Sequence, residues 1–321
     1  MRTRAATAVA AGLLAAGCTL ADVVVPESED VLVVEGVLRT DAPRQAILLH
    51  RSVRGGASAE ERGASVVVRR PGAIDPVIVL LEEPPGSHAC FVVDPRYLGG
   101  EDPLEVRGTC YLSSPADGYW VAPGATYELE VVTARGERAR GRTTVPGLFS
   151  LKGVPFSRAF PYPPQPCAVP PGTPYALRWT PAPGAWGYIA PLQIFGLGMV
   201  LPPELPVADP LELVGLAISA RDTSIVLPTE FGVFERFRLD QEVLRFLQQG
   251  LPGGTVARVS VAAADRNYIN GVRGGSFNPS GQVRISSVSG DAVGVFASLQ
   301  PLVAVVAADE PQGGRLPCGT S

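Results

Sequence analysis

The chain is poor in the residue types that most catalytic and metal sites require. It contains only two histidines, His50 and His88, among 321 residues. A multi-histidine zinc site is therefore excluded, and a histidine-based catalytic triad is disfavoured. The sequence also lacks a Gly-x-Ser-x-Gly nucleophile elbow, a phosphate-binding P-loop and a calcium-loop pattern. We therefore expect neither an enzymatic activity nor a bound cofactor or metal.

Carboxylate pairs are present, but only as neighbours in the sequence: Glu60-Glu61, Glu82-Glu83 and Asp309-Glu310. Adjacent residues of an extended chain point to opposite sides, so these pairs are expected on the solvated surface. A glycosidase needs two carboxyl groups that face one cleft, which disfavours a hydrolase.

Lysine is almost absent, since Lys152 is the only lysine among the 27 basic residues, and the formal charge is −4. Removal of Arg2 and Arg4 with a signal peptide would bring that charge to −6. An acidic chain of this kind is not expected to bind nucleic acid.

No apolar run is long enough to span a bilayer, because the best candidate, residues 299–308, contains Pro301. The N-terminus instead resembles a bacterial lipoprotein signal: Arg2 and Arg4 precede an apolar stretch that ends in Ala15-Ala16-Gly17-Cys18. We expect cleavage of residues 1–17, lipidation of Cys18 and a tether over 18–29. A plain secretory signal is the alternative. Thr19 after the cysteine, rather than Asp, favours delivery to the outer membrane.

Four further cysteines remain in the exported chain: Cys90, Cys110, Cys167 and Cys318. An even number in an oxidising compartment favours disulfides over a metal site, and four cysteines allow three pairings. We favour Cys90 with Cys110 and Cys167 with Cys318, because each pair then lies within one of the expected domains or at its ends. Free, buried thiols are the alternative.

Short Val, Ile and Leu runs separated by Gly, Pro and Asp predict an all-β protein. Seven such strands fall within residues 30–147, as in one immunoglobulin- or fibronectin-like sandwich. They are expected over residues 30–38, 45–53, 64–70, 77–82, 89–93, 127–134 and 138–145. Tyr127, Leu129 and Val131 alternate with more polar neighbours, which indicates a sheet with one solvent-exposed face. Residues 148–173 are rich in proline, which lacks a ladder donor, and are expected to form a linker. Their aromatics Phe156, Phe160 and Tyr162 are expected to pack against the domains rather than to form an exposed platform.

A second sandwich is predicted over residues 174–321, beginning with a strand that contains a buried Trp179. The strands Val293 to Leu299 and Leu302 to Ala307, separated by Pro301, are expected to complete its sheet. Two short helices are expected to interrupt it. Asp240 can cap Gln241 to Gln249, and Asp265 can cap Arg266 to Val272.

Several short motifs occur in a fixed order along the chain. They are Val33-Val34-Glu35-Gly36, Gly63-Ala64-Ser65-Val66, Pro123-Gly124-Ala125-Thr126-Tyr127, Thr144-Val145-Pro146, Asp265-Arg266-Asn267-Tyr268, Asn278-Pro279 and Gly294-Val295-Phe296. In this order, behind the lipoprotein signal, they resemble a Gram-negative lipoprotein family with a domain of unknown function. Its members are often encoded beside TonB-dependent receptors. The sequence departs from that family at Ser287-Val288-Ser289-Gly290-Asp291, where an Asn-Ile and paired glycines are expected.

The resemblance implies an outer-membrane lipoprotein that is an accessory to nutrient uptake, with a TonB-dependent receptor as partner and no established activity. A structural or adhesive envelope protein is the alternative from another class. Contact is expected through the loop from Gly271 to Asp291, because binding residues are commonly found in loops between strands.

Overall fold

The structure, a computed structural model, describes most of the chain beyond the expected signal peptide and tether. The described residues are 30–52, 60–75, 77–85, 90, 108–115, 117, 120–158, 164–205, 207–217, 219–231, 241–273, 285–309 and 315–319. They form an all-β protein with a large mixed sheet and a small sheet, which confirms the predicted fold class.

The elements of the amino-terminal half are short strands. They are β1 (Leu32–Arg39), β2 (Ala46–Arg51), β3 (Ser65–Arg69), β4 (Ile78–Glu82), β5 (Thr109–Ser113), β6 (Thr126–Val132) and β7 (Arg138–Thr144). The middle of the chain adds β8 (Leu151–Lys152), β9 (Phe156–Ser157), β10 (Cys167–Val169), β11 (Tyr175–Trp179) and β12 (Gly187–Phe195).

The three helices found among the described residues all lie in the carboxy-terminal half. Its elements are α1 (Leu197–Val200), β13 (Leu211–Ala217), β14 (Ser224–Leu227), α2 (Gln241–Gln248), β15 (Val256–Ala264), α3 (Arg266–Arg273), β16 (Val288–Gly290) and β17 (Ala292–Ala308). Both predicted helices are therefore present, while α1 was not predicted. Asp240, the expected cap of α2, lies outside the described residues.

The main path of the large sheet runs β13-β12-β15-β17-β1-β2-β5-β4-β3-β6-β7-β16, and β9 and β10 also pair with β17. The path from β1 to β16 curls back on itself, because β16 leads through Asp291 directly into β17, which pairs in parallel with β1. The small sheet has the order β14-β11-β8.

Two large hydrophobic cores form inside these sheets. The first is filled by alternate residues of β1 to β7, as the sequence predicted for Tyr127, Leu129 and Val131, and by Phe296 of β17. The second draws on residues between Phe149 and Ala308, with Trp179 and Tyr188 in contact at 5.1 Å between ring centroids. Residues 288–296, which the sequence assigned to the second domain, thus pack into the first core.

The strand β17 belongs to both cores, although the sequence predicted two strands separated by Pro301. This proline lies where β17 changes partner: pairing with β1 ends at Leu299, and pairing with β9 begins at Val303. On its other side it faces Ala262 of β15, while the flanking ladder is maintained. A residue without an N–H is tolerated where no neighbouring strand needs that donor, so one strand of 17 residues can form.

The sequence predicted that the proline-rich segment 148–173 is a linker outside the sheets. In the structure it instead joins both sheets. Phe149, Leu151 and Val154 are buried in the second core, and β10 pairs in parallel with the end of β17. The prolines of this segment flank its three short strands and do not lie within them, which removes the expected conflict with the ladder. Phe156 packs against the second core as expected, whereas Phe160 and Tyr162 lie outside the described residues.

Both favoured disulfides are present, Cys90–Cys110 and Cys167–Cys318, with sequence separations of 20 and 151 residues. The second bond fixes the end of the described chain beside β10. There the Cys318 N–H donates to the Ala168 carbonyl, and the Ala168 N–H donates to the Leu316 carbonyl.

Candidate binding cleft

An open cleft of about 520 Å³ lies on the outer face of the first core's sheet. Residues of β3, β6 and β7 contribute charged side chains to it, and α3, β16 and the segment before β16 contribute polar ones. The lining residues are Arg69, Glu128, Leu129, Glu130, Arg140, Gly141, Arg142, Asn267, Ser287 and Ser289. A cleft of this volume lies within the range of small-molecule sites.

The charges face the cleft because residues of these strands alternate between core and solvent. On β7, Arg138, Arg140 and Arg142 are exposed, while Ala139 and Thr143 between and beside them are buried. The register places Glu130 opposite Arg140, and Glu128 opposite Arg142. Opposite charges on facing strands thus form a ladder across the cleft floor.

The ion pairs of this ladder differ in closeness. Arg69 Nη1 lies 2.8 Å from Glu130 Oε2, which is hydrogen-bonding distance. Arg140 Nη2 lies 4.0 Å from Glu130 Oε1, and Arg142 Nη1 lies 3.8 Å from Glu128 Oε1. The side chains of Arg140 and Arg142 are 70% and 66% exposed. These two guanidinium groups are therefore held only loosely and can reorient toward a ligand.

The α3 wall of the cleft is fixed by Asp265, the residue predicted to cap this helix. Asp265 Oδ1 accepts a hydrogen bond from the Tyr268 N–H at 2.9 Å, which confirms the cap. Its Oδ2 accepts from the Thr143 hydroxyl of β7 at 2.5 Å, and Thr143 Oγ1 lies 2.7 Å from Ser298 Oγ of β17. All three side chains are buried, so this network joins the helix to strands of both halves.

Burial raises the pKa of Asp265 above its ordinary value, because desolvation penalises the carboxylate. The hydrogen bonds from Thr143 and from backbone N–H groups act in the opposite direction and do not cancel the effect of burial.

Asn267 and Ser287 attach the remaining wall through backbone contacts. Asn267 Nδ2 donates to the carbonyls of Arg142, at 2.7 Å, and of Phe296, at 2.9 Å. Ser287 Oγ accepts from the Phe296 N–H at 2.8 Å. The motif Asp265-Arg266-Asn267-Tyr268, quoted above for the resemblance, therefore connects α3 to β7 and β17 and positions the cleft.

Several residues singled out in the sequence lie elsewhere. Cys18 and His88 are outside the described residues, as is the stretch 274–284 of the expected contact loop. His50 is on β2, opposite Val33 of β1, and its ring Nδ1 lies 3.2 Å from the Arg51 carbonyl. It is therefore remote from the cleft in the sheet order.

One adjacent acidic pair departs from expectation, because Glu61 is buried rather than solvated. Its Oε2 accepts from Arg51 Nε at 2.6 Å, and the same guanidinium binds Glu137 bidentately. Glu60, in contrast, pairs with the exposed Arg62 at 2.8 Å. Arg51 follows His50 in β2. Nothing in the sequence around it predicts that Arg51 is buried rather than exposed on the surface.

Among the described residues, no group of three or more His, Cys, Asp and Glu side chains could hold a metal ion. Nor does the described part of the chain include a helix of sufficient length and hydrophobicity to cross a membrane. No known family model matches the sequence, and no curated protein matches it either.

Proposed function

We propose that this chain is a lipid-anchored envelope protein that binds a ligand or partner without catalysing a reaction, as an accessory component of a TonB-dependent outer-membrane uptake system. The observation that carries the binding role is the open cleft, in which Arg140 and Arg142 are exposed and loosely paired. The motifs that resemble the lipoprotein family support the uptake role, since Asp265 and Asn267 build one wall of that cleft.

The proposed location rests on Ala15-Ala16-Gly17-Cys18 and is consistent with two disulfides, which persist in oxidising compartments. Replacement of Cys18 by Ser is expected to abolish acylation and to release the protein from the membrane fraction. Mass spectrometry of the N-terminal peptide measures the lipid directly. A wild-type peptide without lipid would exclude the anchor, and wild-type protein in the inner membrane would exclude the outer-membrane assignment.

For the fold we propose two sandwich-like units that share β17. The first contains residues 30–147 together with residues 288–296, and the second contains residues from Phe149 onward together with the rest of β17. The separation of the two main cores supports this division, because their buried residues form two distinct clusters that both include residues of β17. The immunoglobulin or fibronectin likeness of each unit is part of this proposal.

The receptor partner is tested with affinity-tagged full-length protein recovered from detergent-solubilised envelope. We expect a TonB-dependent receptor among the recovered proteins, identified by mass spectrometry. Deletion within residues 274–284 should weaken its recovery while leaving the unfolding midpoint unchanged. Unchanged recovery would show that this loop is not part of the interface. Absence of any such receptor would argue against the uptake role.

A structural or adhesive envelope protein is the second candidate, favoured by β17. At about 3.3 Å per residue, a continuous strand of 17 residues extends for about 55 Å through both cores. Such a strand would suit a stiff spacer. A neighbouring gene for a TonB-dependent receptor would support uptake, whereas an adhesion or secretion cluster would support the spacer.

A further inference from the structure

We propose that the cleft binds an oxyanion, a carboxylate or phosphate group, through the guanidinium groups of Arg140 and Arg142. This inference rests on the proposed binding role of the cleft and names the chemical class of its ligand.

The charges that line the cleft favour an anion. Three arginines, Arg69, Arg140 and Arg142, face two glutamates, Glu128 and Glu130. Glu130 is already engaged by Arg69 at 2.8 Å, so that Arg140 is left at 4.0 Å from the same carboxylate. The lining therefore has one positive charge in excess, and the least firmly paired groups are cations.

The spacing of the two arginines suits a single group. Arg140 and Arg142 are two residues apart on the same face of β7, about 7 Å along the strand. Each side chain is long enough to bring its guanidinium over a ligand between them. Arginine binds carboxylate and phosphate oxygens through two parallel N–H donors, which lysine cannot do.

Rearrangement toward a ligand requires little free energy. Exposed ion pairs at 3.8 to 4.0 Å contribute little to stability, so a ligand oxyanion can replace the glutamates as partner. The scaffold beneath them is rigid by comparison, since the backbone carbonyls of Arg140 and Arg142 accept hydrogen bonds from Ser289 and Asn267. The arginine side chains can move while β7 stays in place.

The test uses the disulfide-bonded mature chain carrying Cys18→Ser, so that no lipid anchor contributes to vesicle binding. Inorganic phosphate and citrate are titrated by calorimetry, and vesicles of phosphatidylcholine with and without phosphatidic acid are tested by co-sedimentation. We expect saturable binding in at least one of these arms. A soluble anion and a lipid headgroup are distinguished by which arm responds.

The double variant Arg140→Gln/Arg142→Gln should weaken that binding at least tenfold. Arg178→Gln removes another exposed arginine, from β11 in the small sheet, and should leave binding unchanged. The double variant Arg140→Lys/Arg142→Lys keeps the charge and should recover binding only partly. Thermal unfolding of each variant verifies that it is folded.

Absence of saturable binding in all arms, or equal binding by wild type and the Arg140→Gln/Arg142→Gln variant, would overturn the oxyanion site. Receptor recovery from the envelope is measured separately with the same variants. Recovery without anion binding would refute this inference alone, whereas anion binding without a receptor would refute the uptake partner alone.

Discussion

Thr143 and Asp265 are 122 positions apart in the sequence, yet the Thr143 hydroxyl donates a 2.5 Å hydrogen bond to the Asp265 carboxylate in a buried site. Thr143 belongs to β7 of the first core, and Asp265 caps α3 at the edge of the second. This contact therefore couples the folding of the two halves and holds the wall of the candidate cleft.

The raised pKa of Asp265 makes this coupling dependent on pH. Because the folded-state pKa lies above the ordinary value of 3.8, the stability contributed by protonated Asp265 is complete below that value. It is lost as the pH rises through the folded-state pKa. Asp265→Asn removes the titration and retains a capping side chain. The unfolding free energy of wild type relative to Asp265→Asn, measured by urea denaturation, should therefore fall as the pH rises above 3.8 and through the folded-state pKa. A difference independent of pH would show that Asp265 does not titrate in this way.

The buried Arg51 should contribute more to stability than any exposed arginine of the same sheet. Arg51→Met leaves Glu61 buried without its cation, and loss of one partner of a buried ion pair costs about 3–5 kcal/mol. Arg62→Met is the control, because Arg62 pairs with Glu60 on the surface and its loss should change the unfolding free energy little. Equal effects of the two substitutions in urea denaturation would contradict the structural role given to Arg51.

The pKa of Glu137 is lowered, and the largest cause is its hydrogen bonds with Arg51. The stability contributed by this cluster therefore also depends on pH. The contribution of Glu137 is present above the ordinary value of 4.5 and is lost as the pH falls through the lowered folded-state pKa. The destabilisation caused by Arg51→Met should accordingly shrink as the solution is made acidic.

Local patterns predicted much of the sheet. The alternation in β6 and the Val-rich run of β3 gave strands that differ from the observed ones by one or two residues at each end. The strand β5 was missed because every one of its five residues is buried, so it has no alternation to recognise. The helix α3 was predicted from its cap, whereas α1 has four residues and no side-chain cap.

The candidate cleft was harder to anticipate, because its walls come from residues more than a hundred positions apart. Arg138, Arg140 and Arg142 occupy alternate positions of β7 and are exposed on the same face of the strand. Nothing local to that strand indicates that β16 pairs with it or that Asn267 binds its carbonyl. The path of β17 through Pro301 is likewise non-local, since it depends on where β1 ends and β9 begins.

The disulfide Cys167–Cys318 should stabilise the protein more than Cys90–Cys110. In the chain-entropy model a closed loop of 151 residues contributes about 5 kcal/mol, and one of 20 residues about 3 kcal/mol. Each cysteine pair is replaced by serines, and the urea unfolding free energies of the two variants are compared with wild type. A larger loss from the Cys90→Ser/Cys110→Ser variant would contradict the ordering by loop length.

Gly141 allows β7 to pass closely over Phe296, the aromatic residue that β17 inserts into the first core. A Cβ at position 141 would lie 2.8 Å from Phe296 Cβ, and Phe296 is fully buried. Gly141→Ala should therefore force a shift of β7 or β17 and cost about 1–3 kcal/mol, the usual penalty for overpacking. Gly198→Ala is the matched control, because a Cβ there meets no atom within 4 Å and the position is helical. Unfolding midpoints of the two variants test this difference. Equal midpoints would mean that the close approach of β7 to Phe296 is not a constraint on the fold.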